Sequence, residues 1–154
     1  MKTNTLVIID MQPSTWGDAC RAKGVIPTIK KEITKAIQSR SGIIFVEYRN
    51  NGKTHAELLA HAKGYGRKTI VEKNINDGST QIIDACKKRH FAKNRFRVCG
   101  ILTDCCVHAT VLNLSDKLPK AAIEVVLKGC HPQDKNAWST MASRDNVKIK
   151  KRVA

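Results

Sequence analysis

The stretch Arg97-Val98-Cys99-Gly100-Ile101-Leu102-Thr103-Asp104-Cys105-Cys106-Val107-His108-Ala109-Thr110 decides how this chain is read. Its first part is apolar and β-branched, and it predicts a buried strand from Phe96 to Ile101. Leu102, Thr103 and Asp104 turn the chain. Val107, Val111 and Leu114 then recur at helical spacing and predict a helix over Cys106–Leu114. Thr103 and Asp104 are capping types at that junction. A cysteine in a first helical turn meets unpaired backbone N–H groups and the positive end of the helix dipole. Both favour thiolate over thiol, so Cys106 is a candidate nucleophile with its anion stabilised.

Outward from this stretch, strands and helices alternate. Thr5–Asp10 is an apolar strand ending on a carboxylate. Pro27–Ser39 reads as a helix with Ile29, Ile33, Ala36 and Ile37 on one face, and Ile43–Tyr48 as the second strand. Thr54 caps a short helix through Ala62, and Thr69–Glu72 is the third strand. Ser79 caps a helix over Thr80–Arg89. Ala121–Leu127 is a fifth strand, Gln133–Ala142 a helix and Val147–Ile149 a last short strand. Gly64-Tyr65-Gly66 follows no strand and lacks a third glycine, so it is not a dinucleotide-binding turn. The alternation predicts one α/β domain over 1–154, a three-layer α/β/α sandwich around a Rossmann-like parallel sheet of order 3-2-1-4-5-6. Strands one and four are then neighbours. Their carboxyl ends flank the switch point where ligands bind, and Asp10 and Cys106 meet there.

Length and composition fit this reading. The chain has 154 residues, 42% of them hydrophobic and 27% charged, ordinary values for a globular domain. No apolar run approaches the roughly 18 residues that span a bilayer, and Asp10 cuts Leu6–Ile9 short as a signal segment. Six cysteines without an export signal imply free thiols in a reducing cytoplasm. The formal net charge is +15. The lysines are spread along the whole chain, with only Lys148–Arg152 dense. No helix-turn-helix, zinc-finger or aromatic RNA-binding signature accompanies them. A solvated basic surface with weak attraction for polyanions is expected, without specific nucleic-acid binding.

The two motifs resemble those of the isochorismatase-like cysteine hydrolases, which include nicotinamidases. The family's Asp-Met-Gln strand end is matched by Asp10-Met11-Gln12. Its Gly-x-x-Thr-Asp-x-Cys-Val-x-x-Thr is matched by Gly100, Thr103, Asp104, Cys106, Val107 and Thr110. The resemblance implies a catalytic triad of Cys106 as nucleophile, Asp10 as general base and acid, and a lysine after strand three. Lys73 occupies that place, with Lys68 near it as the alternative. It also implies a cis peptide between Ile101 and Leu102, with the N–H groups of Leu102 and Cys106 aimed at one oxyanion. A nearby ammonium would lower the thiol pKa, and Asp10 could take the thiol proton and return it to a leaving amine. Trp16, Tyr48, Arg49 and Thr103 are the pocket candidates. Arg49 would meet a substrate carboxylate or water, and Thr103 would orient the turn. Asp104 reads as a turn residue, Cys105 as non-catalytic, and the remaining cysteines as small hydrophobes or surface thiols.

Nicotinamidases also carry a metal site, with Asp-x-His just after strand two. Here that place reads Glu47-Tyr48-Arg49-Asn50-Asn51, with only His55 and His61 nearby, so neither metal nor cofactor is expected. Where relatives show Asp-Ala-Cys after strand five, this chain has Lys128-Gly129-Cys130. The expectation is a metal-independent cysteine hydrolase of the amidase type. It would act on a small amide or other C–N bond through a thioester. Its partner would be a small-molecule substrate, with no membrane and with self-association into a homo-oligomer left open. The alternative is a catalytically idle relative that binds a metabolite or a polyanion.

Overall fold

A computed structural model describes residues 3–13 and 24–151. The elements are β1 (Thr5–Ile9), α1 (Val25–Gln38), β2 (Gly42–Tyr48), α2 (Ala56–His61), β3 (Lys68–Lys73) and α3 (Ser79–Arg89). They continue with β4 (Arg95–Ile101), α4 (Cys106–Lys117), β5 (Ala122–His131), α5 (Lys135–Ala142) and β6 (Val147–Lys150). The strands form one parallel sheet in the order β3-β2-β1-β4-β5-β6, the order expected from the sequence.

Side chains of a strand alternate between faces, and β1 shows what that does. Leu6 and Ile8 join Phe45, Ile29, Ile33 and Leu58 in the core under α1 and α2. Val7 and Ile9 join Val46, Val98, Ile82, Val107 and Val111 in the core under α3, α4 and α5. Every residue of β1 is buried, which is why it reads as a continuous apolar run. Burying each such side chain stabilises the fold by about 1.5–3 kcal/mol before chain entropy is counted.

The register places the site. Ile9 pairs with Val46 of β2 and with Gly100 of β4, and Tyr48 pairs with Lys73 of β3. Asp10, Lys73 and the turn after Ile101 therefore leave the sheet at one edge, although they come from three strands. Gly100 makes the close approach possible. Its φ is +133°, and a Cβ there would lie 2.2 Å from the Ile9 carbonyl oxygen.

Several boundaries differ from the sequence reading. β5 runs on to His131 because a register shift after Val98 absorbs Gly129, where a Cβ would meet Cys99 Sγ at 2.9 Å. α2 is capped at His55 and not at Thr54, because Glu47 Oε2 accepts both the Thr54 N–H (2.7 Å) and its hydroxyl (2.8 Å). α3 begins at Ser79, whose N–H donates to Asp77 Oδ1 (2.8 Å). α4 starts after Cys105 with no side-chain cap, so neither Thr103 nor Asp104 caps it. Gly100→Ala should destabilise the fold by roughly 2–5 kcal/mol, the strain of the φ plus the clash with β1, read as a lower midpoint in urea unfolding.

Candidate active site

Asp10 is the residue just past β1. Its φ is 53°, and its N–H donates to the Val46 carbonyl at 2.8 Å, so the backbone fixes the carboxylate at the edge of the sheet. Lys73, the last residue of β3, has no exposed side-chain surface, and its Nζ lies 3.0 Å from Asp10 Oδ2. The same ammonium donates to the Ile75 carbonyl at 3.0 Å and sits 4.2 Å from the centre of the Tyr48 ring. A buried cation is tolerable only when its donors are engaged and its charge is balanced, and these three partners do both. Asp10 Oδ1 is buried and has no hydrogen-bond partner among the described residues.

Cys106 opens α4 and is 8% exposed. Its thiol points at Asn76 Oδ1 across 3.7 Å. Asp10, Cys106 and Asn76 line a cavity of about 200 Å³ together with Tyr48, Asn51, Ile101, Leu102 and Cys105. The Ile101–Leu102 peptide is cis. The Leu102 carbonyl accepts from Val107 N–H (3.0 Å) and Cys105 N–H (3.2 Å), which closes the turn into the helix. The N–H groups of Leu102 and Cys106 have no backbone acceptor among the described residues.

The electrostatics reverse one expectation. The Cys106 thiol is not depressed. Burial pushes it up to about 12, the Asp10 carboxylate adds to the rise, and Lys73 opposes it only in part. Asp10 is itself held above its ordinary 3.8, again by burial first, while the thiol and Lys73 pull it down. A helix N-terminus was expected to favour thiolate. In this pocket the charge is already balanced by Lys73 and Asp10, and a second anion would be unpaired. The resting state is a neutral thiol beside an ion pair.

The sequence model of the isochorismatase domain matches residues 4–117. The chain belongs to the isochorismatase family. A search of curated protein sequences returned no significant match. Among solved structures, this isochorismatase-family protein is similar to a nicotinamidase from Staphylococcus aureus, at 15% identity and TM-score 0.79, covering 97% of this chain and 100% of that one. It is similar to N-carbamoylsarcosine amidase from Thermoplasma acidophilum, at 14% identity and TM-score 0.77, covering 99% of each chain. It is also similar to MAR1 ribonuclease from Caenorhabditis elegans, at 18% identity and TM-score 0.78, covering 96% of this chain and 76% of that one. At such identities the likeness shows the fold.

The pocket of this isochorismatase-family protein differs from the sequence expectation at two positions. Tyr48 lines the cavity. Arg49 does not, because its N–H is tied to the Lys73 carbonyl (2.8 Å) and the residue turns out to solvent. Thr103 is fully buried behind the turn, with its N–H on the His131 carbonyl (3.0 Å), and it does not reach the cavity. Trp16 lies outside the described residues. No group of three or more His, Cys, Asp or Glu is placed to hold a metal among the described residues. Glu47, at the end of β2 where nicotinamidases carry metal ligands, is committed to Thr54, so the donors there do not fit such a site.

Three residues acquire roles that the sequence reading left unassigned. The Gln12 amide grips Tyr48 from both sides, donating to its carbonyl (3.0 Å) and accepting from its N–H (2.8 Å), and it donates to the Gly52 carbonyl as well (2.7 Å). That grip sets the ring that lies over Lys73. Thr110 accepts from Gly78 N–H (3.0 Å) and donates to the Asn76 carbonyl (3.4 Å), which ties the loop after β3 to α4. Gln12 and Thr110 both stand inside the motifs, and their fixed places there were the available signal. Nothing in the sequence singled out Asn76.

Two measurements check this description. Iodoacetamide should modify Cys106 at neutral pH more slowly than a cysteine of the unfolded chain, with the rate still rising above about pH 9, where an ordinary thiol has levelled off. Asp10→Asn strands the Lys73 ammonium without its counter-ion and should cost about 3–5 kcal/mol in chemical denaturation, most of it recovered by adding Lys73→Met.

Proposed function

We propose that this protein is a cysteine hydrolase that cleaves a small amide or related C–N bond through a thioester on Cys106. One observation carries the reading. The unpartnered oxygen of a buried carboxylate, Asp10 Oδ1, shares a cavity with a thiol, while its other oxygen is held by Lys73. A thiol held so far from ionisation is a poor nucleophile until a base removes its proton at the moment of attack. In this reading Asp10 is that base. Its raised affinity for a proton suits it to accept one from sulfur and to pass it on to the leaving nitrogen.

In this reading Cys106 Sγ attacks the carbonyl carbon as its proton moves to Asp10. The carbonyl oxygen gathers negative charge and is met by the N–H groups of Leu102 and Cys106. Asp10 then protonates the departing amine or ammonia and leaves an acyl thioester. Water, deprotonated by the same carboxylate, releases the acid and returns the proton to sulfur. The Lys73 contact favours the ionised form of Asp10 between turns. The cavity of about 200 Å³ is small beside the roughly 300–1,000 Å³ of drug-sized ligand sites, which favours a compact substrate. The similar nicotinamidase and N-carbamoylsarcosine amidase point to the same class of bond. A reducing, cytoplasmic setting agrees with Cys86, Cys99, Cys105, Cys106 and Cys130 being free thiols. No described helix is long and apolar enough to cross a membrane.

The test is a screen of small primary amides and carbamoyl compounds for ammonia release, with wild type and Cys106→Ala in parallel. Wild type should turn over at least one of them, and Cys106→Ala should lower kcat by about 10³-fold or more. Mass spectrometry of quenched wild-type reactions should find an acyl group on the peptide that carries Cys106. Activity should rise with pH along an acid limb set by Asp10, lying above the ordinary 3.8, because the carboxylate must be ionised to accept the thiol proton. Turnover that survives Cys106→Ala overturns the reading.

A further inference from the structure

The net charge of +15 plays no part in the chemistry above, and the structure gives part of it a place. At the amino edge of the sheet, opposite the cavity, Phe91 lies flat on Gly42, where a Cβ would be 2.3 Å from its ring. Two guanidinium groups cover that ring, with Arg67 at 5.3 Å and Arg89 at 5.9 Å from its centre. Both are held by main-chain carbonyls. Arg67 donates to the carbonyls of Arg40 (3.1 Å) and His90 (3.3 Å), and Arg89 to those of Gly66 (2.8 Å) and Lys68 (3.3 Å). Lys87 and Lys93 stand exposed on either side of this turn. Among the described residues none of Arg40, Arg67, Lys68, Lys87, Arg89 or Lys93 has a carboxylate within ion-pair distance. The one carboxylate of α3, Asp84, precedes its basic end.

We propose that this amino edge binds the phosphodiester backbone of nucleic acid without reading its sequence, with Arg67 and Arg89 as fixed forks. A guanidinium presents paired N–H donors that match two phosphate oxygens, and one already immobilised loses little side-chain entropy on binding. Several unpaired cations on one edge suit a repeating anion better than a single one. Phe91 is only 4% exposed, so its ring is neither a stacking platform for bases nor an apolar wedge for a lipid surface. With that ring covered, the two fixed guanidinium groups favour contacts to the backbone. The surface lies about 20 Å from the cavity by strand rise and does not depend on the proposed hydrolysis.

The experiment is a fluorescence-anisotropy titration of the whole protein with two DNA duplexes of unrelated sequence, about two helical turns long, over about 50–200 mM salt. Both duplexes should bind equally, with log K falling linearly in log salt. Arg67→Gln with Arg89→Gln should reduce that slope by about 2 and weaken binding about tenfold or more in the middle of the salt range. Lys128→Gln with Lys135→Gln removes the same charge from the carboxyl side and should leave the slope nearly unchanged. If the arginine pair unfolds the protein, as thermal melting would reveal, Arg40→Gln with Lys93→Gln removes two cations that do not cover the ring and should give the same loss of slope. Four results overturn the proposal: no binding at the lowest salt, equal loss from the control pair, preference for one duplex, or displacement by phosphatidylserine vesicles or inorganic phosphate at constant ionic strength.

Discussion

The structure turns on an ammonium and a carboxylate 3.0 Å apart and almost wholly out of water. Neither charge would be tolerable there alone, and each neighbouring feature completes or confines the pair. The Tyr48 ring and the Ile75 carbonyl take up the rest of Lys73's capacity, and the Gln12 side-chain amide holds the Tyr48 backbone. The state of the thiol follows from burial first and then from the same balance. With one positive and one negative charge already enclosed, a sulfur anion has no counter-ion, and Cys106 keeps its proton.

This arrangement depends on sheet order more than on any local preference. Asp10, Lys73 and Cys106 are far apart in the chain. They meet because β1 lies between β2 and β4 while β3 follows β2 outward, so three carboxyl ends open on one edge. The closeness of β1 to β4 rests in turn on Gly100, whose missing side chain lets the two backbones pass.

How much of this the sequence disclosed varied with the physics. β1 and β4 were legible because strands buried on both faces are written as apolar runs, and the turn into α4 carried a motif of its own. The sheet order followed from those elements. Lys73 could be placed by position, since it closes β3. Arg49 and Thr103 were misjudged as pocket residues because proximity in sequence to a strand end does not say which way a side chain leaves it. The full length of β5 was hidden by Gly129, which looks like a terminator and is accommodated by a shifted register. The direction of the thiol's proton affinity was beyond local reading, because it is set by burial among groups from other strands. Asn76 carries no local mark at all.

Thr110 also divides the labour of the fold. By stitching Gly78 and Asn76 to α4, it makes the cation-bearing strand end and the sulfur-bearing helix into a single chassis. Asn51 and Cys105 line the cavity without being part of the Lys73–Asp10 pair. On the proposed reading, substrate preference can shift at those two side chains while the thiol and carboxylate keep their places, which is how one frame comes to serve many chemistries.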